Sequence, residues 1–329
     1  MNSKQIVIGI DGGGTHTRVM VSDLDGNVLS YIERGSASIY KDEQATQNVH
    51  EAIAEALQMA DRSCEHAQAL VAGIAGYDDP SDLEWIAPLT ELPGLTCPKW
   101  HVNDAVSAHS GALMTKPGIV VIAGTGSIIT GITEDGQYIR NYDFHHYAAS
   151  AARYISYDAV YETLAGHTNE TDSKLIRLML EHWNVSSINE FTAAAKRGFT
   201  EDRRERDKQF GEFAPFLTEA AEHGSSVAVR VCNRAIDQMK VGIELIASSF
   251  TSDEVAVTFI GSVVNSPYFY QALSGQLTAA GSNKRYAVVK PQFAPVTGSV
   301  LLALKNLSIP INEAIINNLR ITAHSLNNK

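Results

Sequence analysis

The residues best suited to chemistry in this sequence form an acidic and glycine-rich segment near its start. Asp11 follows the apolar run 6–9 and precedes three consecutive glycines and a threonine. Residues without a Cβ let backbone N–H groups approach phosphate oxygens, and a threonine hydroxyl adds a donor. An anionic side chain repels phosphate, so Asp11 is predicted to hold Mg²⁺ or its water shell. The segment predicts a polyphosphate site whose contacts are Gly12, Gly13, Gly14 and Thr15.

A plain hairpin turn is the alternative interpretation of this segment. A two-residue turn between strands needs only one glycine, so three glycines with an aspartate and a threonine favour a ligand site. The spacing is not that of a Walker A loop, GxxxxGK[ST]. It is not the dinucleotide-binding fingerprint either, because a strand-like segment follows it instead of a helix.

A second turn of similar composition occurs in the other half of the chain. Its residues are Gly124, Thr125, Gly126 and Ser127, which again follow an apolar run. Alone, this tetrapeptide is as consistent with an ordinary turn as with a ligand site. Its pairing with the first turn predicts two opposed hairpins that bind the phosphates of one nucleotide.

Between the two turns, Asp104 follows a predicted strand and opens a predicted helix in the stretch HVNDA. A carboxylate there can accept the proton of a substrate hydroxyl as its oxygen attacks a γ-phosphate. Helix capping is the alternative, because aspartate is a favoured N-cap residue. We expect Asp104 to act as the base.

Glycine-serine pairs open two later helices. Gly261 and Ser262 end a predicted strand, and Gly298 and Ser299 begin the helix predicted at 296–304. A backbone without a side chain at these points could approach an adenosine. Each pair is common in α/β proteins, so the prediction of nucleoside contacts from Gly261, Ser262 and Gly298 is unspecific.

The elements that must position these residues alternate in a regular order. Strands are predicted at 5–10, 16–23 and 27–33, with the hairpin dipeptide Asp25-Gly26 between the last two. A helical pattern at 43–62 follows, and then strands and helices alternate: strand 69–75, a helix capped by Ser81, strand 99–102 and helix 105–114.

The same order restarts after residue 116, which indicates an internal duplication. The sequence therefore predicts an α/β protein of two related lobes, 1–116 and 117–329, the second with a helical insertion at about 147–249. Ligands of open α/β sheets bind at strand ends, so both glycine turns are expected at a cleft between the lobes.

Composition excludes several classes of protein. The chain has 329 residues, 44 % hydrophobic and 19 % charged, which is typical of globular proteins. Its net charge of −11 is spread along the chain, so no nucleic-acid or membrane partner is expected. The start lacks the apolar core of a signal peptide, and no run reaches the roughly 18 apolar residues of a membrane span, so a cytoplasmic protein is expected. The mixed charges at 201–208 predict a solvent-exposed helix start more than a partner site.

Taken together, these segments resemble the BadF/BadG/BcrA/BcrD ATPase family, which includes N-acetylglucosamine kinases. The resemblance covers residues 5 to about 307, and it is carried by DGGGT, AGIAGYDDPSD, NDA, AGTGS and IGSVVNS in that order. It implies a duplicated ribonuclease-H-like (actin-like ATPase) fold, an interdomain cleft that binds ATP and Mg²⁺, and phosphoryl transfer to an amino sugar. It also implies that Asp104 is the catalytic aspartate, that the sugar site includes Ser38, Gly76, Asn103 and Asp104, and that the protein is a homodimer.

The sugar-binding half departs from the family pattern. Family kinases carry Gly-Trp-Gly and then Gly-Asp-Glu-Gly-Ser soon after the second hairpin, whereas this chain reads NYDFHHYAASAARYISYDAV, with alanine and serine near Ala149 and Ser150. Ser38 stands where the family has a sugar-contacting asparagine. Losing a buried hydrogen-bonding partner for a sugar hydroxyl weakens discrimination by several kcal/mol.

Two functions follow from these observations. The first is an ATP-dependent phosphotransferase that acts on a hydroxyl of a small sugar-like acceptor, with an amino sugar such as N-acetylglucosamine as the candidate. The alternative is a family ATPase or nucleotide-binding regulator whose sugar site has degenerated. The related dehydratase activators, which bridge a [4Fe–4S] cluster between subunits, fit least, because Cys64, Cys97 and Cys232 lie outside the motifs.

Overall fold

The structure, a computed structural model, describes residues 4–327 and divides into two compact units. Unit 1 contains the described residues up to 116 together with those from 291 onward, and unit 2 contains residues 117–290. The predicted second lobe, 117–329, is therefore wrong in its last part. Residues after 290 return to unit 1, where their helices cover one face of its sheet.

Unit 1 is built on a five-stranded sheet in the order β3-β2-β1-β4-β5. The first three strands are antiparallel neighbours, and β4 and β5 run parallel to β1. The strands are β1 (Ile6–Gly12), β2 (Thr17–Asp23), β3 (Val28–Arg34), β4 (Ala67–Ile74) and β5 (Lys99–Asn103).

Both faces of this sheet are covered, which explains why β1 is a continuous apolar run. Ile6, Ile8 and Ile10 belong to a core with helix α1 (Ala45–Met59). Val7, between them, belongs to the core on the opposite face. Alternate side chains of a strand point to opposite faces, so a strand that is buried on both needs apolar residues throughout.

The opposite face of the sheet is covered by helices from the end of the chain. These are α10 (Pro295–Asn306) and α11 (Glu313–Asn327). Helix α3 (Asp104–Leu113), from earlier in the chain, packs beside α10. Val296, Val300 and Leu304 of α10 are fully or almost fully buried beside β1 and β4. Gly9 of β1 admits this approach, because a Cβ there would lie 2.7 Å from the Val300 backbone nitrogen.

Unit 2 repeats the topology, with the sheet order β10-β9-β6-β7-β8 and the same pattern of parallel and antiparallel neighbours. Its strands are β6 (Gly118–Ala123), β7 (Ser127–Ile132), β8 (Tyr138–Arg140), β9 (Glu254–Ile260) and β10 (Arg285–Val288). This confirms the predicted duplication and the ribonuclease-H-like order of both sheets.

The stretch predicted as mainly helical, 147–249, does hold five helices inserted between β8 and β9. They are α4 (Ala152–Leu164), α5 (Ser173–His182), α6 (Ile188–Lys196), α7 (Arg203–Glu222) and α8 (Ser226–Ala247), and α9 (Pro267–Thr278) follows β9. Trp183, Phe191, Phe210 and Phe213 form an aromatic core among α5, α6 and α7. The core exists because each helix carries an apolar stripe that the sheet alone cannot cover.

One local prediction fails between β4 and β5. Ser81 is not a helix cap, because Asp79 accepts the hydrogen bond from the Ser81 backbone and begins a short 3₁₀ turn. The helix after it, α2 (Leu83–Ile86), has a single turn. Within residues 4–327, no helix is long and apolar enough to cross a membrane.

Candidate active site

The first glycine segment is the tight turn between β1 and β2 in unit 1. Its shape is held by backbone bonds: Gly13 donates to the His16 carbonyl at 2.8 Å, and the Gly13 carbonyl accepts from Ala37 at 3.1 Å. Gly12 is the last residue of β1, and a Cβ there would lie 2.6 Å from the Ile74 side chain. Thr15 is exposed at the tip. The glycines thus allow close packing at Gly12 and leave an accessible turn beyond it.

Asp11 is buried at the base of this turn, with 7 % of its surface exposed. It lies opposite Arg18 in the β1–β2 register, and Arg18 Nη1 donates to Asp11 Oδ2 at 3.2 Å. Burial raises the pKa of Asp11 above its usual value, and the arginine charge opposes that rise. Arg18 on β2 is therefore the cation that pairs with the Asp11 carboxylate.

Asp104 begins α3 directly after β5, but it is not the cap of that helix. Asn103 is the N-cap, and its Oδ1 accepts from the Ala105 backbone at 2.9 Å. The Asn103 amide also donates to the Tyr77 carbonyl at 3.0 Å and to Asp78 at 3.2 Å. Since Asn103 satisfies the helix end, capping does not explain the carboxylate at 104.

The electrostatic surroundings of Asp104 suit a base. Burial raises its pKa to about 6, and the carboxylates of Asp11 and Asp78 add to the rise, while backbone N–H groups at the helix start oppose it. The Asp11 and Asp104 carboxylates are therefore close enough for their charges to interact. A carboxyl group with this pKa is mostly ionised at pH 7 and is more basic than an ordinary aspartate.

The end of the chain fixes the relative position of these two acids. Ser299 of α10 donates to the Ile10 carbonyl at 2.7 Å, and its Oγ lies 2.8 Å from Ser107 Oγ. Ile10 precedes Asp11, and Ser107 lies one turn after Asp104. A single buried hydroxyl thus ties β1 to α3 behind the two carboxylates.

Gly298, predicted beside the nucleoside with Gly261 and Ser262, has a different place. It is buried in unit 1 at the contact of α10 with α3, where a Cβ would lie 1.9 Å from the Ser107 carbonyl oxygen. Gly261 and Ser262 belong to unit 2. Gly298 therefore serves the packing of α10 on α3, and a contact from it to a nucleoside stays a prediction.

The second glycine turn joins β6 to β7 in unit 2. Gly124 donates to the Gly126 carbonyl at 2.9 Å, and the Gly124 carbonyl accepts from Ala152 at the start of α4 at 2.8 Å. Thr125 and Gly126 are exposed, and Arg153 donates to the Thr125 carbonyl at 3.3 Å. Ser127 Oγ donates to the Ala148 carbonyl at 3.1 Å. Ser127 is one of the four predicted phosphate contacts, and its hydroxyl is already engaged with this backbone carbonyl.

Gly261 and Ser262 lie beside this second turn, as their predicted common role requires. A Cβ on Gly124 would be 3.6 Å from Gly261 Cα and 3.6 Å from the Ser262 nitrogen. Gly261 has φ of +107°, and a Cβ there would lie 2.4 Å from the Ala123 carbonyl oxygen. Only glycine fits such a backbone. Ser262 is exposed next to it.

The predicted sugar contacts Ser38 and Gly76 are both in loops of unit 1. Ser38 is buried, and its carbonyl accepts from Lys41 and Asp42. Gly76 has φ of +88° in the loop that follows β4, one residue before Tyr77, whose carbonyl accepts from Asn103. Contacts from Ser38, Gly76 and Asn103 to a sugar stay predictions.

Comparison with known proteins adds evidence of another kind. The model of the BadF/BadG/BcrA/BcrD ATPase family matches residues 8–303. The chain belongs to that family. Membership in a family of ATPases implies that the chain uses ATP.

Relatives of this family member have names that refer to amino-sugar phosphorylation. The N-acetylmuramic acid/N-acetylglucosamine kinase of Clostridium acetobutylicum is 26 % identical over 79 % of this chain and 85 % of its own length. The glucosamine kinase of Vibrio cholerae is 24 % identical over 68 % of this chain and 74 % of its own. The solved structure of a proposed N-acetylglucosamine kinase from Chromobacterium violaceum has a TM-score of 0.66 and 23 % identity, and covers 91 % of this chain and 99 % of that one.

Sequence reasoning missed three charged residues near the turn and the helix start of this family member. Arg18 pairs with Asp11, Asp78 raises the pKa of Asp104, and the Lys41 ammonium lies against Gly14, where a Cβ would be 2.4 Å from Nζ. Asp78 is part of the AGIAGYDDPSD motif, so its sequence signal was present. Arg18 could be found only from the register of β1 with β2, and Lys41 only from the fold of the loop after β3.

Proposed function

We propose that this chain is an ATP-dependent kinase that transfers the γ-phosphoryl group of ATP to a hydroxyl of an amino sugar, with N-acetylglucosamine as the first candidate. The observation that carries the proposal is the Asp104 carboxyl group. It stands at a helix start that it does not cap, and burial and two nearby acids raise its pKa to about 6. The names of the relatives support an amino sugar as the acceptor.

In the proposed reaction, the ionised Asp104 accepts the proton of the sugar hydroxyl while that oxygen attacks the γ-phosphorus. The bond from the γ-phosphorus to the bridging oxygen breaks, and ADP leaves with that oxygen. A carboxylate near pKa 6 can hold the proton and release it to solvent at neutral pH. Backbone N–H groups at the tips of the glycine turns are the proposed donors to phosphate oxygens, other than those of Gly13 and Gly124, which already donate within their own turns.

Asp11 is the proposed ligand for Mg²⁺ or its water shell. Among the described residues, no three His, Cys, Asp or Glu side chains gather into a metal site. Mg²⁺ in kinases needs only one or two carboxylates, because phosphates and waters complete its six ligands. The buried carboxylate of Asp11 fits that requirement and leaves Asp104 as the base. When bound, Mg²⁺ neutralises charge on the transferred phosphate.

The test is release of ADP from MgATP in the presence of N-acetylglucosamine, glucosamine, N-acetylmuramic acid and glucose, one at a time. We expect an amino sugar to stimulate ADP release, with an equal amount of sugar phosphate detected by mass spectrometry. The neutral hexose glucose is the control for amino-group selectivity. ADP release that ignores all four sugars would contradict the proposal.

A second candidate, an ATPase or nucleotide-binding regulator without a sugar kinase activity, is favoured by one stretch of unit 2. Where family kinases carry an acid pair, Ala148 and Ser150 are buried and Ala149 is exposed, so this stretch offers no carboxylate to a sugar. Under this alternative, slow ADP release persists with every sugar absent or present. The same assay therefore separates the two candidates.

A further inference from the structure

A cavity of about 430 Å³ opens on the helical part of unit 2, and none of the residues discussed as sugar contacts lines it. Its walls come from α4, the turn that ends α6 and the first turns of α7. Charged walls are formed by Arg153, Arg203, Arg206 and Asp207. Three tyrosines of α4 complete them: Tyr154, Tyr157 and Tyr161.

The cavity is positively charged in a chain whose net charge is −11. Three guanidinium groups face a single carboxylate, that of Asp207. Arg153 and Arg203 lie 3.8 Å and 4.0 Å from Asp207 Oδ2, which is beyond good hydrogen-bond length. Asp207 therefore occupies their N–H groups only weakly. Arg153 also donates to the Thr125 carbonyl at 3.3 Å and to the Tyr154 hydroxyl at 2.9 Å, whereas the Arg203 side chain is 85 % exposed. Guanidinium donors match the geometry of carboxylate and phosphate.

The helix dipole does not favour these arginines, although Arg203 forms a long i,i+4 ion pair with Asp207. Arg203 and Arg206 lie in the first turn of α7, where the helix dipole disfavours positive charge. Asp202 caps the helix and offsets part of that cost. The charge pattern at 201–208 predicted a solvent-exposed helix start, and the helix does begin there. The cavity beside it adds a reason for the arginines, because a bound anion would be favoured by both the guanidiniums and the helix end.

The tyrosines give the cavity a second recognition surface. The Tyr157 ring stacks on Phe210 at 3.7 Å between centroids, and its hydroxyl donates to Asp207 at 3.1 Å. The Arg153 guanidinium lies 4.5 Å from the centroid of the Tyr154 ring. Tyrosine presents an apolar face and a polar hydroxyl, which suits a ring that has C–H and hydroxyl groups. The volume is within the range of small-molecule pockets.

We propose that this cavity binds a monosaccharide that carries a phosphate or carboxylate group. The guanidiniums of Arg153 and Arg203 hold the anionic group, and the tyrosines contact the sugar ring. Arg206 donates to the Gly198 and Thr200 carbonyls at 3.3 Å, so it shapes the wall and adds charge. The proposal concerns binding in the absence of ATP. Arg153 also contacts the Thr125 carbonyl of the second glycine turn, so Arg203 is the residue that separates this cavity from the proposed kinase site.

The test is isothermal titration calorimetry without nucleotide, using four probes: N-acetylglucosamine 6-phosphate, glucuronate, N-acetylglucosamine and inorganic phosphate. The variants are Arg203→Gln and Arg153→Gln, and Arg177→Gln, an exposed arginine of α5 outside the cavity, is the matched control. We expect at least one anionic sugar to bind wild type and the control alike, and each cavity variant to bind it about tenfold more weakly. Comparison of the first two probes identifies phosphate or carboxylate as the preferred anion.

Three results would overturn the proposal: no binding of either anionic sugar, equal binding by wild type and Arg203→Gln, or binding of inorganic phosphate as tight as that of the sugar phosphate. Product binding at the proposed kinase site would leave the affinity of Arg203→Gln unchanged and so give the second result, whatever Arg153→Gln does. Arg203 is 85 % exposed and its loss should not disturb folding, so it decides the test even if Arg153→Gln fails to fold.

Discussion

Replacing Asp104 with asparagine tests the proposed base and its electrostatic surroundings in one variant. Asparagine keeps the size and the helix start, because the cap is Asn103. It cannot accept the proton of the sugar hydroxyl. Loss of a positioned base lowers kcat by about 10²- to 10⁴-fold. We expect that loss in steady-state kinetics with N-acetylglucosamine, with MgATP binding unchanged within about threefold.

The pH dependence has a definite sign. Burial and the acids Asp11 and Asp78 raise the pKa of Asp104 from 3.8 to about 6 in the folded chain. Wild-type kcat/KM should therefore fall below about pH 6, as the base becomes protonated, and the residual activity of the variant should lack that limb. Because the folded pKa of Asp104 is raised, the contribution of Asp104 to stability is fully present below about pH 4 and is lost as the pH rises through about 6.

The size of this decline follows from the shift. Each pKa unit is worth about 1.4 kcal/mol, so the ionised Asp104 costs at most about 3 kcal/mol above pH 6. Asp104→Asn removes that cost, and urea unfolding at pH 8 should show a more stable variant. Asp25→Asn, at an exposed hairpin turn, is the control that should change neither kcat nor the free energy of unfolding at pH 8. An Asp104→Asn variant with normal kcat, or with lower stability at pH 8, would refute the reasoning.

Two further predictions concern stability, both measured by urea unfolding. Gly298→Ala should lower the free energy of unfolding by about 1–3 kcal/mol, because its Cβ would overlap the Ser107 carbonyl; Gly275→Ala, in an open helical position of α9, should instead raise it by about 0.5–1 kcal/mol. Asp172→Asn should cost about 1.5–3 kcal/mol, because the carboxylate accepts hydrogen bonds from Asn169, Ser225, Ser226 and Val227. Burial raises the pKa of Asp172, but these hydrogen bonds outweigh burial and hold the pKa below 3.8. In wild type, the stabilisation by Asp172 should therefore be lost as the pH falls below about 4. The Asp172→Asn variant should lack this pH-dependent loss. Equal stability of Gly298→Ala and Gly275→Ala, or a normal acid transition in Asp172→Asn, would contradict these assignments.

The order of strands and helices was predictable because the signals are local. Apolar runs of strand length, the dipeptide Asp25-Gly26 and the restart after residue 116 each occupy a few consecutive residues. The single-turn helix after Asp79 was not predictable. Several aspartates and serines lie close together there, and only the backbone conformation decides which of them accepts the capping hydrogen bond. The return of residues 291–327 to unit 1 was not predictable from an alternating pattern either, since packing partners are decided by tertiary fit.

The residues of the candidate site also divide into those that the sequence could indicate and those that only the structure shows. Composition identified the glycine turns and Asp104, because small residues and an acid at strand ends are visible in the sequence. It could not identify Arg18 as the partner of Asp11, because that pair depends on the register Asp11↔Arg18. It did not reveal that Gly298 packs against Ser107 of α3, because glycine serves ligand approach and helix packing equally well and the helix contact is visible only in the structure.

The pKa of Asp104 shows why a site of this kind needs the whole of unit 1. The carboxyl group is at the start of α3, one of its neighbouring acids is on β1, and the other is in the loop after β4. No local segment contains all three, so the rise to about 6 exists only when these elements are packed together. Ser299 connects two of them from the far end of the sequence. The basicity that the proposed reaction needs is therefore a product of tertiary packing, and a change at Ser299 would alter it without touching the reacting groups.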